Sequence, residues 1–260
     1  MSSHILTDIA EQIATLTLSN PGKLNAIDAA MWRALRAALG RLVADPEVRC
    51  IVLRGEGDKA FAAGGDLEEF LTVRATVDDA LHYHEELVAR ALEAIRACPK
   101  PTIAAIQGAC IGGGLEIAGC CDIRIAGESA KFGAPINKLG FSMYPGEMAG
   151  LVALAGPAVV LEILLEGRIL DAREACARGL LSRVVPDGAV FDEAKASARR
   201  IAAGAPLVAS WHKQWIARLM HDRPLSEEEK RGAFAFLETE DYREGMAAFF
   251  EKRKPRFKGR

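Results

Sequence analysis

Thr102-Ile103-Ala104-Ala105-Ile106, followed at once by Gln107-Gly108-Ala109-Cys110-Ile111-Gly112-Gly113-Gly114-Leu115-Glu116, is the stretch that decides how this chain folds. The first five residues form an apolar run of strand length. The glycines mark a sharp change of direction, and residues 115–118 read as the opening turn of a helix. A second junction of the same kind lies upstream, where Cys50-Ile51-Val52-Leu53 leads through Gly55 and Gly57 to Phe61-Ala62-Ala63-Gly64-Gly65-Asp66 and into another helix. Glycine at a strand-to-helix junction lets backbone approach a ligand closely. The free N–H groups of a helix's first turn then point at that ligand and favour negative charge. Two such junctions can aim two N–H donors at one developing oxyanion, although each taken alone is equally a tight turn. Neither junction spells GxGxxG, and the chain has no GxxxxGK[ST], so phosphate-loop readings fit worse.

Outward from these junctions, residues 13–18 alternate apolar and polar, as a half-buried strand does, and Asn20-Pro21-Gly22 closes that strand in a turn. Asp28 is placed to cap a helix whose apolar face holds Met31, Leu35, Leu39 and Leu42. Residues 121–126 read as a further strand. From about Phe191 the spacing is helical only, over 192–202, 207–220, 226–238 and 242–252, with Ser226 and Glu229 forming a capping box. The fold class expected is α/β, with a βα-rich core over 1–195 and a helical region over 196–260. No internal repeat or low-complexity tract interrupts it.

Bulk properties narrow the function. Of 260 residues, 50% are hydrophobic and 26% charged, as in an ordinary soluble domain, and the net charge of −2 provides no field for nucleic acid or an anionic membrane. The first ten residues lack a basic, then apolar, leader pattern. Residues 101–127 are broken by glycines and carry Glu116, Asp122 and Arg124, which suits a buried core and not a membrane span. Six cysteines (Cys50, Cys98, Cys110, Cys120, Cys121 and Cys176) form no CxxC pair and point to a reduced, cytoplasmic protein. The five histidines keep no ligand spacing with them, so no metal site is expected. His82 and His84, two apart, fall on different faces of a helix.

Six segments together resemble the successive signatures of the crotonase (enoyl-CoA hydratase/isomerase) superfamily. They are Lys23-Leu24-Asn25-Ala26, Phe61-Ala62-Ala63-Gly64-Gly65-Asp66-Leu67, Ala105-Ile106-Gln107-Gly108 through Gly114-Leu115-Glu116, Cys121-Asp122-Ile123-Arg124-Ile125-Ala126, Ala130-Lys131-Phe132-Gly133-Ala134-Pro135, and the ending from Tyr242-Arg243-Glu244-Gly245-Met246 to Lys252-Arg253. They run in order over essentially the whole chain. The resemblance implies a crotonase-like ββα spiral core and a helical C-terminal region used for trimerisation, as a homotrimer or a dimer of trimers. It implies an acyl-CoA thioester substrate, with coenzyme A as part of that substrate and no separate cofactor, metal, nucleic acid or membrane partner. The oxyanion-hole N–H groups fall to Gly65 and Gly113. Leu24, Ala26, Ala63, Gly64 and Asp66 are expected to border the CoA moiety.

Glu116 stands one helical turn beyond Gly113 in an otherwise apolar run, where a carboxylate is costly unless it is paired, protonated or used; the resemblance makes it an acid/base. The second glutamate of the hydratases falls at Ile136, which can neither give nor take a proton. Hydration of crotonyl-CoA is therefore expected to be weak unless Asn137, or Tyr144 or Glu147 in the altered loop Phe141-Ser142-Met143-Tyr144-Pro145-Gly146-Glu147, supplies the missing group. Isomerisation, decarboxylation and thioester hydrolysis remain open as uses of the same enolate, as does acyl-CoA binding without efficient turnover. Lys252 and Lys254 in the basic tail are candidates for CoA phosphates. Trp211 and Trp215, at i and i+4, read as one packed helix face.

Overall fold

The computed structural model describes residues 3–260. β1 (His4–Ala10) and β2 (Ile13–Ser19) form an antiparallel hairpin whose two-residue turn, Glu11 and Gln12, has φ of 52° and 64°. α1 (Ala29–Ala44) follows, capped by Asp28, whose carboxylate accepts from Met31 N–H at 2.8 Å. Then come β3 (Cys50–Gly55), β4 (Ala60–Ala62), α2 (Leu67–Val73) and α3 (Val77–Leu81). A π-helical segment, His82–Ala89, runs on into α4 (Arg90–Arg96). β5 (Thr102–Ile106), β6 (Ala109–Ile111), α5 (Gly113–Cys120), β7 (Ile123–Gly127) and β8 (Lys131–Gly133) come next, and a 3-10 turn, Ile136–Leu139, leads to α6 (Pro145–Glu166). β9 (Ile169–Asp171), α7 (Ala172–Ala177) and β10 (Arg183–Val185) complete the two sheets, and α8 (Val190–Ala202), α9 (Pro206–Leu219), α10 (Glu227–Gly232) and α11 (Glu240–Phe250) end the chain.

The strands sort into a six-stranded sheet, β1-β2-β3-β5-β7-β10, and a four-stranded sheet, β4-β6-β8-β9. β3 and β4, β5 and β6, and β7 and β8 each put one strand into each sheet, so every pass moves one place along in both, mostly in parallel register. That is the spiral expected of the sequence. Gly108 makes one of its corners: its φ is +61°, and a Cβ there would stand 1.9 Å from the Lys59 carbonyl oxygen, so no side chain fits.

The period of two in β3 divides its side chains between two cores. Ile51 and Leu53 join the large core that holds α1, α4 and α5, whereas Cys50 and Val52 face the smaller one beneath α8. α8 packs along its length, through Val190, Ala194, Ala198 and Ala202, and so runs across residue 195 as one unit on the sheet. Beyond it, α9 and α10 bury no residue.

Three differences from the sequence reading have physical causes. The helix expected over 226–238 begins at its capping box but breaks after Gly232, a poor helix former, and resumes only as a 3-10 turn, Ala235–Glu238. α5 begins at Gly113, two residues earlier than read, because its glycines obscure the periodicity. β1 and the three-residue strands β8, β9 and β10 give no alternation long enough to read; β1 is an edge strand exposed over most of its length. α6 is long and apolar but is broken at Gly156 (φ 78°, ψ 161°) before Pro157. Each half falls well short of a bilayer's ~30 Å hydrocarbon core.

Candidate active site

The two glycine-rich junctions meet. The main chains of Ile27 and of residues 64–66 pair as a parallel bridge, in which Ile27 N–H donates to Gly64 carbonyl at 2.8 Å and Asp66 N–H donates to Ile27 carbonyl at 2.9 Å. In such a bridge the intervening residue points its own N–H the other way, so Gly65 N–H faces away from Ile27. Gly113 is the first residue of α5, and its N–H has no partner within the helix. A Cβ on Gly113 would lie 3.7 Å from the Gly64 carbonyl carbon, the atom bonded to the Gly65 nitrogen, and 3.2 Å from Trp32 Cζ2. Gly112, at φ 49° and ψ −117°, turns the chain so that this approach is made.

Gly65 and Gly113 both line a cavity of about 220 Å³, together with Ala63, Gly64, Glu116 and Ile136. Its wall is largely apolar and aromatic, from Trp32, Phe70, Tyr83, Val88 and Phe141. Phe70 sets edge-on to Tyr83 (5.7 Å) and to Phe141 (6.0 Å), and its Cζ stands 2.7 Å from where a Cβ on Gly65 would be. Tyr83, buried, accepts a hydrogen bond from Trp32 Nε1 at 3.1 Å, and burial pushes its phenol well up.

Glu116 is buried one turn into α5, and its carboxyl makes no hydrogen bond or ion pair among the described residues. Burial first, and the neighbouring Glu147 second, raise its pKa well above the carboxylate range. Glu147, in the first turn of α6, lines the same cavity; its Oε1 lies 2.6 Å from His84 Nδ1, and the two side chains are 5% and 13% exposed. The π-helical stretch positions His84. With hydrogen-bonded partners five positions apart, Tyr83 and Val88 return to the same side, and His84 is brought to the cavity beside them.

Of the three groups that could replace a carboxylate at Ile136, only Glu147 reaches the cavity. Asn137 Nδ2 donates to the Leu165 carbonyl at 2.9 Å, and Tyr144 Oη donates to Glu85 while its ring stacks on His84 from outside (5.5 Å, 24°). Other expected site residues also lie off this cavity. Asp66 caps α2 and pairs with Lys23 Nζ at 2.7 Å. Ala26 is buried, and Leu24, half exposed at φ 50°, borders a separate groove with Asn20, Asn25 and Glu56. Lys254 edges a cleft near α11 that shares no lining residue with the cavity. Trp211 and Trp215 line an apolar hollow with Phe236, Tyr242 and Phe257. The cavity-lining His84 and Tyr83 carried no sequence signal, since their partners Glu147 and Trp32 lie on other elements, whereas Phe70 and Arg74, at i and i+4 on α2, form a local pair that the sequence reading passed over.

Comparison with known proteins gives a consistent result. A sequence model described as Enoyl-CoA hydratase/isomerase matches residues 8–260. The chain is 38% identical over 256 residues to the probable enoyl-CoA hydratase echA8 of Mycobacterium tuberculosis, covering 97% of each chain. It is 34% identical over 257 residues to the crotonyl-CoA hydratase of Syntrophomonas wolfei, covering 98% of this chain and 97% of the relative. The crystal structure of an enoyl-CoA hydratase/carnithine racemase from Magnetospirillum magneticum superposes with a TM-score of 0.97 at 50% identity, covering 100% of this chain and 97% of that one.

Proposed function

This chain belongs to the enoyl-CoA hydratase/isomerase family, and on that premise we propose that it hydrates a short enoyl-CoA thioester. The observation that carries this reading is a pair of buried carboxyl groups, Glu116 and Glu147, lining the cavity onto which Gly65 and Gly113 open. The thioester oxygen accepts from the N–H groups of Gly65 and Gly113, which draws electron density from the double bond. Glu147 takes a proton from water, sharing it across the 2.6 Å contact with His84, and the water oxygen bonds to the β-carbon. The electron pair of the double bond moves onto the thioester as an enolate, held by the two N–H donors. Glu116, whose burial favours the protonated form, delivers its proton to the α-carbon, and the thioester carbonyl re-forms. Ile136 is apolar cavity wall in this scheme, and Glu147 supplies the group without which hydration was expected to be weak.

Coenzyme A enters as part of the substrate, and no step needs a further cofactor. The six cysteines are free, and burial pushes the Cys50 thiol up to about 12, which suits a structural role in a reducing cytoplasm. The direct test is crotonyl-CoA in deuterated water, followed by loss of enoyl-thioester absorbance and by mass spectrometry. Hydration with one deuterium at the α-carbon supports the reading. Absence of hydration across short enoyl-CoA thioesters overturns it.

A further inference from the structure

Arg74 stands at the end of α2, where it lines the acyl cavity. Its guanidinium carbon lies 4.5 Å from the ring centroid of Phe70 and 4.5 Å from that of Phe141, so two aromatic rings hold it. Contact with ring faces leaves the in-plane N–H donors of a guanidinium free. No carboxylate takes them: the Arg74 side chain has no hydrogen bond or ion pair among the described residues. The half-exposed charge is therefore fixed in place, unpaired, and turned to a cavity whose wall is otherwise mostly apolar.

We infer that Arg74 is an anion anchor for the distal end of the acyl group, and that the preferred substrate is a short acyl-CoA thioester bearing a terminal carboxylate. Phe70 links the two ends of this arrangement, since its ring abuts Gly65 on one side and Arg74 on another. An acyl chain whose carbonyl is held at Gly65 thus needs only a few carbons to pass one aromatic ring and reach the guanidinium. The acids already in the cavity do not oppose such a ligand strongly. Glu116 is biased toward its neutral form, and Glu147 is engaged by His84. A planar fork of donors matches a carboxylate in a bidentate pair, which a methyl end cannot offer.

The inference rests on the acyl-CoA reading of the site but is tested by binding alone. Isothermal titration of the full-length protein with freshly prepared saturated thioesters, which have no double bond to hydrate, compares succinyl- with butyryl-CoA, glutaryl- with pentanoyl-CoA and adipyl- with hexanoyl-CoA. At the best-fitting length, the carboxylate-ended ligand should bind about 10- to 100-fold more tightly than its methyl-ended partner. Arg74→Met should abolish that ratio, and Arg74→Lys should restore part of it, because a point charge replaces a fork. Equal binding within all three pairs by the wild type overturns the inference while leaving the acyl-CoA reading intact. An Arg74→Met variant that weakens every thioester and free coenzyme A alike also overturns it, assigning the guanidinium to the CoA phosphates. If no thioester binds at all, the acyl-CoA reading itself falls, and the inference with it.

Discussion

His84 and Glu147 are 63 residues apart in the chain, yet Nδ1 of one lies 2.6 Å from Oε1 of the other at the wall of the cavity. A carboxylate so placed can pass a proton on without moving, and the imidazole is steadied in turn by the stacked ring of Tyr144. Glu147→Gln keeps the shape and removes the proton acceptor. It should lower kcat for hydration roughly 100- to 10,000-fold. His84→Asn should cost less and chiefly reshape the pH–rate profile, because it acts through Glu147. Steady-state rates from pH 5 to 9 check both, and a Glu147→Gln enzyme with unchanged kcat would remove Glu147 from the chemistry.

Glu116 makes a prediction about stability that is independent of substrate. Its folded pKa is raised well above the ordinary 4.5, so the native state binds a proton that the unfolded chain has released. Its contribution is then fully present below the unfolded pKa and is lost as pH rises through the folded value. Glu116→Gln, neutral at every pH, should match the wild type near pH 4 and be increasingly more stable toward pH 8. Urea melts at the two pH values measure the gap; a constant gap would mean that the carboxyl is not buried as described. The same variant should lose roughly 100- to 10,000-fold in turnover.

The oxyanion hole is tested by two substitutions at one position. Gly113→Ala retains the N–H but sets a Cβ 3.2 Å from Trp32 Cζ2, a crowding that Gly113→Pro shares. Only proline also removes the donor, and proline is tolerated at the first position of a helix. The ratio of their turnover numbers therefore isolates the N–H, at roughly 100- to 1,000-fold. Circular dichroism first establishes that both fold. Equal turnover in two folded variants would place the hole elsewhere.

What the sequence disclosed and what it withheld divide along a physical line. Local periodicity and glycine placement were enough for β2, α1, β3 and β5 and for both junctions, because each of those signals lies within about ten residues. Glu116 was legible as a carboxylate stranded in an apolar run. Glu147 was visible only as one of three candidates, because what distinguishes it from Tyr144 and Asn137 is the packing of α6 against α5 and the π-helical turn that brings in His84. The aromatic grip on Arg74 is half local, because Phe70 lies one helical turn before it on α2, and half distant, because Phe141 comes from the loop ahead of α6. Pairings across tens of residues leave no trace in spacing.

The last prediction concerns assembly. We propose that the C-terminal helices associate between copies of this chain, as a trimer or a dimer of trimers. α9 buries no residue, and Ile216 and Leu219 in its second half and Met220 at its C-cap are all exposed. On α11, Phe249 and Phe250 are 76% and 74% exposed, a costly arrangement for adjacent aromatic side chains unless another surface covers them. Removing apolar area from water contributes roughly 25 cal/mol per Å², so a few such side chains per interface outweigh a substantial part of the entropy of association. Light scattering at micromolar concentration should give a mass at least about three times the 27.9 kDa of one chain. Phe249→Asp with Phe250→Asp should lower that mass, since two carboxylates would then face the region to be covered. These exposed positions are not needed by the large core, so circular dichroism should be unchanged. A wild-type protein that scatters as a single chain at these concentrations would rule out the assembly.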